Sequence, residues 1–334
     1  MASDRDQTLD RLRGLLIALV VFGHLIEHDA AAPGLVQDVY RAIYLFHIPL
    51  FAGLAGYLTG AVRRPLAVVR GLLVPWLLAE IVYRALDALV FGQQVPVTDP
   101  YWILWFLLSL ACWRLALPIW IARVPTPLMA AFALGLLAGG ADWLGYPASA
   151  ARTLCFFPFF VLGHVLAARG VTIARFEGRS VVAGLLLAAA LTVAIWPFER
   201  FDVRLLYGSL PYAALGLGLT EGLLARAGHY LAALVLSAAV LSLVPRRGHM
   251  LAALGRRSMA VFLVHGAIVL ALRQIGLPDG PAALALALPL TLAICALRWP
   301  VASRPVRSGP STRLPPRTSG SDPVPPTRAS ATDA

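Results

Sequence analysis

Runs of roughly twenty apolar residues recur from Leu12 to the neighbourhood of residue 299, and that is the length one helix needs to cross a bilayer. Such a chain must fold as helices, because the hydrocarbon layer offers no water to unpaired backbone N–H and C=O groups. Charged residues make up 13% of the 334 residues and hydrophobic ones 59%, too little polar surface to clothe a water-soluble globule of this size. The sequence therefore predicts an all-α integral membrane protein. It sets aside a soluble enzyme, a secreted disulfide scaffold and a nucleic-acid-binding domain. About ten transmembrane helices are expected, at 12–31, 42–62, 67–92, 101–122, 127–146, 152–168, 180–197, 229–245, 258–276 and 281–299. The apolar piece 208–225 contains Gly208, Pro211, Gly216, Gly218 and Glu221. It is expected to be interfacial or re-entrant on the outer side.

All 28 basic residues are arginine, which excludes chemistry built on a lysine Schiff base or amine nucleophile. The formal net charge of +11 reads as arginines held in cytoplasmic loops and not as a nucleic-acid footprint. With both termini cytoplasmic, twenty arginines fall inside and five outside (Arg41, Arg152, Arg200, Arg204 and Arg226). Counting 208–225 as a crossing would move Arg246, Arg247, Arg256, Arg257 and the basic tail outside, against the positive-inside rule. The first apolar stretch is expected to remain as a helix, because Pro33 follows the small residues Ala30–Ala32 and His24, Glu27 and His28 interrupt the run. Residues 1–300 form the membrane domain. Residues 301–334, with seven prolines and no apolar periodicity, are expected to be a disordered cytoplasmic tail. Cys112, Cys155 and Cys295 lie in apolar stretches and read as small buried hydrophobes.

Ionisable residues inside the bilayer are functional candidates by default, and the first helix is the richest in them. On a wheel of 100° per residue, Arg13 and His24 fall within about 20° of each other, with Glu27 and His28 on the same stripe. His24 lies about 16 Å beyond Arg13. A cation at the inner boundary and a proton-transfer group near the midplane suit a long ligand with a phosphorylated head and a reactive tip, the shape of a coenzyme A thioester. Elsewhere, His47 lies in the outer half of helix 2. Glu80, Arg84 and Asp87 share one face of helix 3, as a functional trio or a self-neutralising network. Tyr101, Trp102 and Trp105 suit an aromatic belt. Arg152 stands outside as a headgroup anchor or an acceptor ligand. His265, alone on an apolar face, reads first as packing. His24-Leu25-Ile26-Glu27-His28 also fits the H-x-x-E-H pattern of zinc hydrolases, but no third ligand is marked by spacing.

These residues, taken together, resemble the acyltransferase-3 membrane acyltransferases, in particular the fucose 4-O-acetylase-like branch. The matching pieces are Asp10-x-x-Arg13-Gly14, the Arg13 and His24 pair with ten residues between, and Val20-Val21-Phe22-Gly23-His24. Phe46-His47-Ile48-Pro49-Leu50-Phe51, Gly56-Tyr57 and Trp105-Phe106-Leu107 follow. Then come Arg152 with Phe156-Phe157-Pro158-Phe159-Phe160 and Gly163, and Leu254-Gly255 through Leu263-Val264-His265-Gly266. The resemblance covers about residues 9 to 299. Ala55 stands where a serine is expected before Gly56-Tyr57.

The resemblance implies a multi-pass protein of the plasma (inner) membrane. It would transfer an acyl group, usually acetyl from acetyl-CoA, to a hydroxyl of a carbohydrate or glycolipid. Its partners would be acyl-CoA, that acceptor and membrane lipids, with neither metal nor nucleic acid. His24, Arg13 and Glu27 would be the catalytic residues, and Arg13 with Asp10 would serve the donor. His47, Arg152 and His265 would be pocket residues, and His28, Tyr57 and Trp105 join them as substrate-binding candidates of this sequence. Two other classes fit the same stripe: a transporter with polar residues along a solute path, and an intramembrane zinc hydrolase built on His24, Glu27 and His28.

Overall fold

The computed structural model describes residues 4–28, 34–60, 65–92, 94–172, 184, 202–245, 247–278 and 280–297, with side chains from residue 7 onward. The expected span 180–197, residue 184 apart, and the tail 301–334 lie outside the described residues. Among the described residues every regular element is a helix. Helices α1 (Asp4–Ile26), α2 (Leu35–Tyr44) and α3 (His47–Tyr57) come first. They are followed by α4 (Pro65–Phe91), α5 (Trp105–Arg123, entered through a turn at Trp102–Leu104), α6 (Pro127–Ala138) and α7 (Ala150–Ala168). After the turns Arg204–Tyr207 and Ala213–Leu215 come α8 (Leu219–Leu243), α9 (His249–Arg256), α10 (Ser258–Gln274) and α11 (Pro281–Ala296).

Five stretches are long and apolar enough to cross a membrane: Leu35–Tyr57, Pro65–Phe91, Trp102–Arg123, Pro147–Ala168 and Leu219–Leu243. The pair α9 and α10, bent by 80° at Arg257, makes a sixth if it is one broken span. The chain is thus a multi-pass helical membrane protein. α4 leaves Leu77, Leu78, Ile81, Val82 and Leu89 exposed, an apolar face for lipid. α1 is different. Asp10, Arg11 and Arg13 break its apolar run, and Leu12, Leu16, Ile17, Val20, Val21, Leu25 and Ile26 are buried by protein all round it. α1 is a central post, packed on α9, α10, α11, α2 and α3.

Several expected boundaries move, each for a local reason. α1 stops at Ile26, so Glu27 and His28 sit in a turn and not in the helix. The second span begins at Leu35, with a break where Phe46 leaves helical geometry; Pro49 follows in the first turn of α3, where its missing N–H costs nothing. The segment 208–225, expected to be interfacial or re-entrant, divides at Gly218. Gly208 and Gly216 adopt left-handed backbone and end short turns, whereas 219–225 opens α8. Glu221 belongs to the first turn of α8, where an acidic residue suits the positive end of the helix dipole. α6 ends at Ala138, short of the expected 146, because Tyr212 docks there: its N–H donates to Gly139 O (2.6 Å) and its hydroxyl to Leu136 O (2.7 Å).

Two crossings depend on small residues that bring helix backbones together. A Cβ at Gly14 would collide with the carbonyl of Leu251, and one at Gly255 with the carbonyl of Asp10, which locks α1 onto α9. A Cβ at Gly56 would collide with Phe160 O, and one at Gly163 with Gly53 O, which locks α3 onto α7. Leucine at Gly56 is therefore expected to destabilise the fold by about 3 kcal/mol or more, through overpacking against backbone that cannot yield. Thermal melting of the detergent-purified variant measures this, and a wild-type midpoint would contradict the crossing.

Candidate functional site

The ends of α1, α3, α5, α7 and α10 enclose a cavity of about 420 Å³ on the side where α1 ends. α1 supplies His24 and, just past its last turn, Glu27. The His24 Nδ1 lies 3.1 Å from a Glu27 carboxylate oxygen. Since the carboxylate only accepts, that contact assigns the proton to Nδ1 and leaves Nε2 as the basic nitrogen. Arg273, from the end of α10, closes the group: its Nη2 donates to His24 O (2.9 Å) and reaches the Glu27 carboxylate (3.3 Å). The imidazole packs edge-on against Trp102 at 4.8 Å between centroids and stacks on His265 at 5.5 Å. Arg273 lies over the same Trp102 ring at 5.1 Å. Trp102 has φ +32°, a left-handed value that a bulky residue adopts only when its surroundings hold it there.

His47 lines the same cavity. Its Nδ1 lies 2.8 Å from Ile43 O, so that nitrogen carries the proton and Nε2 is bare. His265 is fully buried, with Nδ1 shared between Val261 O and Phe262 O at 3.0 and 2.9 Å and no partner at Nε2. Tyr44, Tyr101, Trp105, Tyr146, Arg152 and Tyr207 complete most of the polar and aromatic wall.

The network on α4 sets the rim of this cavity. Arg84 Nε donates to Glu80 (2.9 Å), and its Nη atoms donate to Val95 O, Pro96 O and Asp99 O (3.0, 3.1 and 2.7 Å). Glu80 accepts the Tyr101 N–H at 3.0 and 3.1 Å. Asp87 accepts the Tyr101 hydroxyl (3.1 Å) and the Gln94 N–H (3.0 Å). Helix spacing alone leaves that trio's role open; in the fold it pins the segment 94–101, so Tyr101, Trp102 and Trp105 line the cavity instead of forming only a lipid-facing belt.

Arg13 and Asp10 are at the other end of α1. Arg13 Nη2 donates to Ser258 Oγ (3.2 Å), and Asp10 lies between Arg13 (3.8 Å) and Arg256 (3.7 Å). Arg114 is near enough to feel the Arg13 charge and donates to Thr59 Oγ1 (3.2 Å). One carboxylate thus faces an excess of guanidinium groups, a setting that suits a phosphorylated ligand. Arg13 and His24 both turn towards α10, meeting Ser258 and His265 two turns apart on one face. Buried Ile17, Val20 and Val21 lie along α1 between them.

The structure separates other candidates from the cavity. Tyr57 donates to Val171 O (3.0 Å) near Thr59 at the far end of α3. His28 lines a second, smaller cavity of about 200 Å³, together with Leu25, Arg273 and residues of α11. His24 and His28 therefore do not converge as the H-x-x-E-H spacing suggests, and among the described residues no three His, Cys, Asp or Glu side chains are placed to hold a metal ion. Arg273 was not marked by sequence; its only signal is an arginine at the C-terminal end of an otherwise apolar helix, eight residues past His265.

A family model described as an acyltransferase domain, Acyl_transf_3, matches residues 6–299. Among curated proteins, a Nodulation protein NolL of Mesorhizobium japonicum is 28% identical over 125 residues, 31% of this chain and 33% of that protein. A Nodulation protein NolL of Sinorhizobium fredii is 40% identical over 67 residues, 19% of this chain and 18% of that protein. The matched part thus spans a third or less of these relatives' length. No solved structure matches the chain.

Proposed function

The chain belongs to the acyltransferase family of that model, and on this premise we propose that it moves an acyl group, acetyl by preference, from acyl-CoA to a hydroxyl of a carbohydrate or glycoconjugate. The observation that carries the reading is the His24 and Glu27 pair set into an aromatic-walled cavity, with Arg273 bracing both. His24 Nε2 takes the proton from the acceptor hydroxyl as its oxygen attacks the thioester carbonyl; the C–S bond then breaks, and the imidazolium returns that proton to the departing thiolate. Glu27 holds the imidazole in the required tautomer and offsets its transient positive charge. Arg13 and Arg114, with Asp10 orienting Arg13, hold the phosphates of the donor from the inner side. On this reading the donor's thioester arm runs from Arg13 past Ile17, Val20 and Val21 to His24.

The inside excess of arginines supports an inner-membrane placement with both termini cytoplasmic, and the recurring apolar runs support about ten spans. The test is incubation of the purified protein with labelled acetyl-CoA and glycan acceptors, followed by thiol release and mass spectrometry of the product. Solute uptake without CoA release would point to transport instead. Arg13→Gln is expected to raise KM for acetyl-CoA by about tenfold to a hundredfold, with a smaller change in kcat, because it removes charge-assisted bonds to the donor's head and not to the reacting carbonyl. Unchanged KM would move the donor elsewhere.

A further inference from the structure

Two arginines line the large cavity, and among the described residues only one of them forms an ion pair. Arg273 is paired with Glu27. Arg152 has no carboxylate or carbonyl partner among the described residues; its guanidinium lies over the rings of Trp105 at 5.0 Å and Tyr146 at 5.2 Å. Aromatic faces stabilise a half-buried cation, but they accept no conventional hydrogen bond, so its N–H donors stay available to an occupant of the cavity. Neither carboxylate on the wall meets this need. Glu27 is engaged by His24 and Arg273, and Asp99 accepts from the neighbouring Thr98 hydroxyl at 3.0 Å.

The geometry of the wall supplies a register. His24 packs on Trp102 and Arg152 on Trp105, three residues further along the same chain segment. A sugar ring laid across these two indoles would place a hydroxyl at the imidazole and a substituent at the guanidinium. Glu27, Tyr44, Tyr146 and Tyr207 line the wall of the same cavity as Arg152. We propose that the acceptor is an anionic carbohydrate, whose carboxylate or phosphate is held by Arg152 while a ring hydroxyl faces His24. This rests on the acyl-transfer reading for what happens to the hydroxyl, but the charge of the occupant follows from a cavity-lining guanidinium that no carboxylate among the described residues bonds.

The experiment measures equilibrium binding of three probes to purified full-length protein in detergent: methyl glucuronide, glucose 1-phosphate and the neutral methyl glucoside. At least one anionic probe is expected to bind about tenfold to a hundredfold more tightly than the neutral one. Whether the uronate or the phosphate shows this preference identifies the source of the anion. In Arg152→Gln the ratio of anionic to neutral affinity should fall to near one, and Arg152→Lys should keep part of it. A ratio taken within one variant is insensitive to the fraction of protein that has folded. Equal binding of all three probes to the wild type, binding of none, or an equal loss for all three in Arg152→Gln would each overturn the proposal. The last would assign Arg152 to the sugar ring or the acyl group. CoA release is assayed in parallel: binding preference without release would refute acyl transfer and leave the anion site standing, whereas release with the neutral acceptor alone would refute the anion site.

Discussion

Replacing His24 with alanine is expected to lower acetyl-CoA turnover by about a hundredfold to ten-thousandfold while leaving a folded protein, since a positioned general base contributes that much to a rate. The bond to Glu27 leaves Nε2 as the one nitrogen of this imidazole able to accept the acceptor's proton, and alanine supplies none. The side chain is partly open to the cavity and is not a keystone of the core, so the variant should fold. Glu27→Gln should act in the same direction but less strongly. The amide can still accept from Nδ1–H through its oxygen, yet it no longer carries the charge that stabilises an imidazolium, and Arg273 loses its partner. Thiol release with acetyl-CoA and a glycan acceptor measures both, with gel filtration and melting as controls for folding. A folded His24→Ala protein working at the wild-type rate would remove the proposed mechanism.

The pairing of Arg13 and His24 on one protein-facing side of α1 was legible in the sequence because helical periodicity is a local property: eleven residues return the wheel almost to its start wherever the helix packs. The same argument failed three residues later. It carried Glu27 and His28 along as helical, whereas α1 ends at Ile26 and the turn sends His28 to another cavity. Helix ends depend on tertiary partners, here Arg273, which caps the His24 carbonyl from α10. No spacing rule links residues 24 and 273. Trp102 shows the limit most plainly. An aromatic residue at a membrane interface is adequately explained by the interface itself. Its second role, between the imidazole and Arg273, depends on a strained backbone value that only the assembled rim imposes. The glycine pattern was partly readable: Gly56 and Gly163 belong to the resemblance, but the close crossing of α3 and α7 that they permit was not marked.

That rim is also where a mutation distant from the chemistry should have a large effect. Glu80→Ala is expected to cost about 3 kcal/mol of stability and to lower kcat as well. Glu80 is only 7% exposed, it accepts both the Arg84 guanidinium and the Tyr101 N–H, and removing one partner of a buried ion pair leaves the other uncompensated. The freed Arg84 would still have the carbonyls of Val95, Pro96 and Asp99, so the segment 94–101 would loosen at its Tyr101 end in particular. Trp102 is the next residue, and with its backbone no longer held at φ +32° its ring would move off His24 and Arg273. Glu80→Gln separates the two consequences. The amide keeps an acceptor for Tyr101 N–H while giving up the charge opposite Arg84, so it should lose stability but retain most of the turnover. If both variants melt earlier and yet turn over at wild-type rate per folded molecule, the α4 network serves only the packing of its own corner, and Trp102 is held in place by something other than the rim.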